Sequence, residues 1–237
     1  MNTKNILLIA LCTIVTLSCH AIAKQQLTQG ILIAIEGIDG AGKSTLAQAV
    51  SAFLEENGFD ILLTREPGHS ALGKEIRELV QTQTMPISSR AEFLLFAADR
   101  AQHFTELIIP ALQQNRLVIS DRIADSSLAY QGYGRGLDTQ ILRTINAWAM
   151  ESIVPHLTIF VRVPVPTALE RCRKRPSLSV FEHEQFLDKV AAGFEEIYQN
   201  RNDVVVVDGT NSPEFLTQQI YCAITQWIET NNLLHNN

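Results

Sequence analysis

Short apolar runs alternate along this chain with longer stretches in which apolar residues return every three or four positions. "ILIAIEG" (31–37), "DILLT" (60–64), "RLVISDR" (116–122), "LTIFVRV" (157–163) and "DVVVVDG" (203–209) read as strands. "KSTLAQAVSAFLEENG" (43–58) reads as a helix ending at Gly58, and residues 89–114 as one long or kinked helix, or two. Pro67 and Gly68 force a turn after the second strand. Strands that are apolar throughout predict a five-stranded parallel sheet covered by helices on both faces, an α/β fold of three layers. Ligands of such sheets sit beyond the carboxyl ends of the strands, where the polar clusters of this chain fall: residues 37–45, Arg65, and Asp121 with Arg122.

Composition narrows the picture a little. A length of 237 residues suits one α/β domain, and neither repeats nor Pro/Gly-rich linkers mark a second. With a net charge of −6, a generally basic nucleic-acid surface is not expected, so any anion site must come from local clusters. Cys12, Cys19, Cys172 and Cys222 show no metal-ligand or redox spacing, and the six histidines form no cluster.

The first residues stand apart. One lysine, an apolar run over residues 6–17 and then Ala21-Ile22-Ala23 follow the order of a secretory signal cut after Ala23, in a run too short to span a bilayer comfortably. Residues 1–27 are therefore expected to lie outside the fold, which is expected to occupy residues 28–237.

"GIDGAGKST" (37–45) carries the first chemistry. Gly37-x4-Gly42-Lys43-Ser44, after a strand and before a helix, is the full phosphate-loop pattern. Its glycines turn backbone N–H groups inward around phosphate oxygens, with the positive helix end behind them. The expected ATP contacts are Gly37, Ile38, Asp39, Gly40, Ala41, Gly42, Lys43, Ser44 and Thr45. Lys43 would reach the β- and γ-phosphates and Ser44 would ligate Mg²⁺. Asp121, closing an apolar strand, suits a carboxylate that holds Mg²⁺, and it would equally serve as a helix cap. Asp39 faces the metal or the acceptor, or else stabilises the turn.

Arg65, Arg100, Arg122 and Arg135 fall at element ends or beside glycine turns. Each alone is an ordinary surface charge; together they suggest bidentate anion recognition. "ERCRKR" (170–175) is either a solvated helix end or a mobile lid supplying positive charge, with Arg171, Arg173, Lys174 and Arg175 as the candidates. A phosphate monoester is largely ionised at neutral pH, its second pKa being about 6, so it needs positioning and neutralisation more than a base. An arginine-rich acceptor site suits such a group.

"IEGIDGAGKST", "TREPG", "EFLLFAADRAQH", "SSLAYQGYGRG" and "HLTIFVRV" occur here in the order and at the spacing of bacterial thymidylate kinases, and the chain closely resembles that family over residues 30–230. The resemblance implies a P-loop NTPase fold with a short lid, an ATP:dTMP phosphotransferase using Mg²⁺, and a homodimer formed through the long central helices. It implies that Arg65 and Arg122 bind the dTMP phosphate, that Phe96 stacks on the thymine and that Arg100 reads an exocyclic oxygen. It also implies that Ser126, Ser127, Tyr130 and Gln131 line base and sugar. On pattern alone, Phe96 reads equally as a core residue.

The chain departs from the family at three places. His69 follows "TREPG" where a glycine is usual, and Ile123 follows "DR" where an aromatic or histidine is usual. In the lid, Ser179 and Val180 replace the usual Asp-Arg pair, and Gly40 stands where the other family type has its arginine. Lys43, Asp39, Arg122, Arg173 and Arg175 are then the expected catalytic groups. Two readings stand beside dTMP kinase: a kinase of another nucleoside monophosphate, and a non-catalytic nucleotide-binding protein with a degraded lid. ATP and dTMP are cytoplasmic, so a cytoplasmic enzyme without stable membrane association is expected, with export the alternative left by the leader.

Overall fold

The computed structural model describes residues 24–82, 85–174, 181 and 183–235. Its five strands are β1 (Ile31–Glu36), β2 (Ile61–Arg65), β3 (Leu117–Asp121), β4 (Leu157–Arg162) and β5 (Val204–Asp208). All pair in parallel, in the order β2-β3-β1-β4-β5. The helices are α1 (Lys43–Glu56), α2 (Ala71–Thr82), α3 (Ser89–His103), α4 (Ile109–Gln113), α5 (Ala124–Ser127), α6 (Thr139–Ala149), α7 (Val165–Arg173), α8 (Glu184–Tyr198) and α9 (Pro213–Thr230).

Every residue of β1 and β3 is buried, as continuous apolar strands in the middle of a parallel sheet require. Successive side chains still alternate between faces. Ile31, Ile33 and Ile35 join the larger core with Leu46 and Val50 of α1 and Ile220 and Ile224 of α9. Leu32 and Ala34 point the other way, into a smaller core with Phe104, Ile108, Val118 and Met150. β5, as apolar in sequence as β1, is an edge strand, and its Val206 is exposed.

The helical stretch over residues 89–113 is continuous but not uniform. Ser88 caps α3, its hydroxyl accepting from the Ala91 N–H, and a π-helical segment (Phe104–Ile108) joins α3 to α4 just ahead of Pro110. The proline cannot donate to the preceding turn, and the wider turn accommodates the missing bond. A second π-helical segment, Leu128–Gly134, runs on from α5.

One expected boundary is corrected. Leu27 is buried and bridges to Leu234, Gln25 donates its N–H to the Gly58 carbonyl, and Thr28 donates to Leu233. Residues 25–27 thus belong to the body, because an apolar side chain there finds a place between α1 and the chain's carboxyl end. Residues 1–23 lie outside the described residues. Among the described residues no helix is long and apolar enough to cross a membrane.

Candidate active site

At the carboxyl edge of the sheet, β1 runs through the glycine loop into α1. Gly40 and Gly42 have φ of +83° and +92°, values that favour glycine. A Cβ on Gly40 would lie 2.2 Å from the Ala168 carbonyl oxygen, so no larger residue, arginine included, fits this loop against α7 without displacing it. Gly42 caps α1 without any side-chain partner, leaving the first N–H groups of the helix for an anion. Lys43 Nζ lies 2.8 Å from the Ile38 carbonyl, inside the loop. Burial, aided by repulsion from Arg122, pushes the Lys43 ammonium down to about 8 against the pull of Asp121, Asp39 and Glu36.

β3 pairs with both β1 and β2, which sets Asp121 beside Ile35 and Arg65. Ser44 Oγ donates to Asp121 Oδ2 at 2.5 Å. The other oxygen, Oδ1, is buried with no hydrogen-bond partner among the described residues. A hydroxyl and a carboxylate with a buried, unspent oxygen are the hard donors that Mg²⁺ prefers, so the residues fit the ion that the loop implies.

Arg122 begins the turn after β3 and has φ +73°, a left-handed conformation that a non-glycine residue adopts at a cost of order 1 kcal/mol or more. It is held on all sides. Its Nη2 reaches Asp39 Oδ1 at 2.5 Å, and its Nη1 donates to the Gly37 carbonyl at 2.9 Å and to Ser126 Oγ at 2.7 Å. Its head lies 5.1 Å from the centroid of the Tyr130 ring. Burial pushes the Asp39 carboxyl up, but Arg122 and Lys43 overcome this and hold it below the usual carboxylate range. Tyr130 OH accepts from the Asp39 N–H at 2.8 Å, and burial raises the pKa of this hydroxyl far above its usual value.

A cavity of about 360 Å³ opens here. Its lining includes Lys43, Ser44 and Asp121, together with Asp39, Arg122 and Tyr130 and with Phe96, Arg100, Ser127 and Gln131. Arg65 is exposed at the rim, with no ion pair among the described residues. Arg100 is only 2% exposed, and its guanidinium is bonded to Glu66 (2.8 Å), Asn146 (2.7 Å), Ser127 Oγ (3.2 Å) and the Ile123 carbonyl (3.2 Å). Glu66 also meets His103 Nδ1 at 3.0 Å, and the other ring nitrogen of His103 meets Thr64 Oγ1 at 2.6 Å. A buried chain of polar groups thus fixes the arginine head at the cavity wall. Ser126 also lines the cavity, but its Oγ is already spent on Glu36 and Arg122.

Three expectations meet a different arrangement. Arg135 does not line the cavity: it pairs with Glu92 at 3.0 Å and lies 4.8 Å over the Phe186 ring, a neutralised structural contact. Arg173 is exposed at the end of α7 and is not brought to the cavity, while Arg171 donates to the Gly209 carbonyl at 2.9 Å. Arg175, Ser179 and Val180 lie outside the described residues. Sequence reasoning missed Arg77, which α2 turns into the cavity; its Nη1 donates to the Pro67 carbonyl at 2.9 Å. Burial and the neighbouring Arg65 lower its pKa, against the pull of Asp121 and Asp39. Glu36, Glu66 and Phe181 were missed too. A glutamate closing an otherwise apolar strand was the one signal available for Glu36.

A phosphate loop on a five-stranded parallel sheet, with arginines facing it across one cavity, defines an α/β phosphotransferase of the P-loop class. A sequence profile of thymidylate kinases matches residues 35–220, and the chain belongs to the thymidylate kinase family. It is 40% identical over 198 residues to the thymidylate kinase of Halothermothrix orenii, covering 81% of this chain and 95% of that one. With the thymidylate kinase of Desulfovibrio desulfuricans it shares 42% identity over 209 residues, 84% of this chain and 96% of the other. The crystal structure of thymidylate kinase from Ehrlichia chaffeensis superposes with a TM-score of 0.70 at 28% identity, over 83% of this chain and 99% of that one.

Proposed function

We propose that this protein transfers the γ-phosphate of ATP to dTMP, forming dTDP. The observation that carries the reading is Arg122, one guanidinium bonded to the phosphate loop at Gly37 and Asp39 while lining the same cavity as Phe96 and Arg100. Donor and acceptor phosphates would meet under that guanidinium, where charge on the transferring group is greatest. Arg65 and Arg77 would hold the dTMP phosphate, Phe96 the base, and Arg100 with Gln131 its polar edge. Lys43 and the N–H groups of residues 40–45 would hold the ATP phosphates. Mg²⁺, held by Ser44 and Asp121, would neutralise the β- and γ-phosphate oxygens. The acceptor is already an anion, so orientation and charge do the catalysis and no general base is needed.

The working enzyme is a homodimer in this reading. α3 and α6 present Leu94 (54% exposed), Ile141 (58%) and Trp148 (82%) outward, apolar surface that a second copy would cover. Both substrates are cytoplasmic, and the reaction runs there. The test is ADP release by the full chain with Mg-ATP and, in turn, dTMP, dUMP, UMP, CMP and dGMP. Turnover with dTMP, much reduced with UMP, is expected. ADP release with none of them, despite ATP binding, would leave a nucleotide-binding protein and sink the kinase reading.

A further inference from the structure

Glu36 is the last residue of β1, lies immediately before the phosphate loop and is fully buried. It does not line the cavity. A carboxylate in that place carries a desolvation cost that an apolar residue continuing the strand would avoid. Both of its oxygens are committed to the turn that follows β3. Oε1 accepts the Ile123 N–H at 2.8 Å and the Ser126 N–H at 3.4 Å, and Oε2 accepts the Ser126 hydroxyl at 2.5 Å.

The chemistry of a hydroxyl makes this arrangement directional. Ser126 has one proton to give and lone pairs to receive with. With its proton held by the ionised Glu36, its lone pairs face Arg122, whose Nη1 donates to Ser126 Oγ at 2.7 Å. A hydroxyl free to rotate would at times point its proton at the guanidinium and lose that bond. Glu36 therefore sets the polarity of a chain running from arginine to serine to carboxylate. Its grip on the Ile123 N–H also holds the backbone just after Arg122, whose left-handed φ needs surrounding contacts to persist. The Arg122 N–H donates to the Ile35 carbonyl at 3.0 Å, and Ser120 Oγ donates to the Arg122 carbonyl at 2.7 Å, completing the frame.

We infer that Glu36 is a positioning residue for phosphoryl transfer, acting through Ser126 to aim the Arg122 guanidinium at the space between the phosphate loop and the acceptor. The inference rests on the dTMP kinase reading, and turnover of dTMP by the parent enzyme tests that reading by itself. A side chain that merely caps a short helix would affect folding and both substrates alike. A positioning residue lowers the rate where Arg122 is intact and does nothing further once Arg122 is impaired.

The experiment is a double-mutant cycle of Glu36→Gln with Arg122→Lys at about pH 8, where Glu36 is ionised, reading kcat, both KM values and the melting temperature with Mg-ATP and dTMP. Glu36→Gln alone is expected to lower kcat by about 10- to 100-fold, with the KM for ATP changed less than about twofold. In the Arg122→Lys background the same change is expected to cost less than about twofold more, since residues acting as a unit are not additive. A kcat within about threefold of the parent, or a full loss repeated in the Arg122→Lys background, overturns the inference. Should Glu36→Gln fail to fold, Ser126→Ala breaks the same chain while keeping the carboxylate. A kcat loss of about tenfold or more, absent in the Arg122→Lys background, then supports the inference, and a kcat near the parent's overturns it.

Discussion

Arg122, on the turn after β3, and Asp39, inside the phosphate loop, meet through Nη2 and Oδ1 at 2.5 Å, so one ion pair couples the acceptor side of the cavity to the donor side. Both side chains are mostly shielded from water, and Lys43 adds its charge to the same carboxylate. Arg122→Ala is therefore expected to cost about 10³-fold or more in kcat, the scale of a lost transition-state arginine. ATP binding, followed by nucleotide titration, should change only a few-fold. A kcat loss under about tenfold would show that another cation serves the transferring phosphoryl group.

Asp121 pairs with Ser44 through one oxygen and leaves the other buried without a partner among the described residues. Asp121→Asn keeps the shape and removes the charge, so the Mg²⁺ concentration for half-maximal rate is expected to rise by about tenfold or more. Activity titrated against Mg²⁺ at saturating nucleotide measures this. An unshifted midpoint would move the metal away from Asp121.

Lys43 without nucleotide is held down to about 8, chiefly by burial. Arriving phosphates favour the ammonium, so ATP binding near and above pH 8 should take up a proton. Apparent ATP affinity should then weaken as pH rises above about 8, approaching tenfold per pH unit. Calorimetry at pH 8.5 in two buffers of different ionisation enthalpy reads the uptake directly, and Lys43→Met should abolish it. Equal heats in both buffers would contradict the assignment.

Burial pushes the Glu36 carboxyl up to about 7; Arg122 pulls it down and Asp125 pushes it up. The folded state binds this proton more tightly than the unfolded chain, whose ordinary value is 4.5. The stability it supplies is fully present below about pH 4.5 and is lost as pH rises through about 7, a change on the order of 3 kcal/mol. Glu36→Gln should flatten that part of the stability–pH curve, measured by urea unfolding between pH 5 and 8. An identical slope in the variant would assign the proton elsewhere.

Trp148 stands 82% exposed on α6, near Ile141 on the same helix. A charge in the middle of an apolar homodimer face is costly, so Trp148→Glu should convert a dimer to a monomer by light scattering. A parent that is itself monomeric at micromolar concentration would refute the dimer.

The strand pattern, the phosphate loop and most of the cavity wall were legible from the chain alone, for reasons particular residues make plain. β1 and β3 announce themselves because central parallel strands are buried on both faces. Gly40, Gly42, Lys43 and Ser44 are readable because phosphate wrapping is local chemistry, settled within nine residues. Arg77 was not readable: it sits in an ordinary amphipathic helix, and only the packing of α2 turns it inward. Arg135 misled for the converse reason, since its partner Glu92 is far away in sequence and nothing local shows the neutralisation.

By itself, then, the sequence determined what depends on neighbours along the chain: the strands and helices, the phosphate loop, and through the order of its motifs the family. The tertiary structure alone decided which charges remain free and which are spent. Arg65 stays open at the rim, Arg100 is committed to Glu66 and Asn146, and the Ser126 hydroxyl, though at the cavity wall, is spent on Glu36 and Arg122. The physical reason is that a side chain's charge is local, whereas its neutralisation belongs to whatever the fold brings within hydrogen-bonding distance.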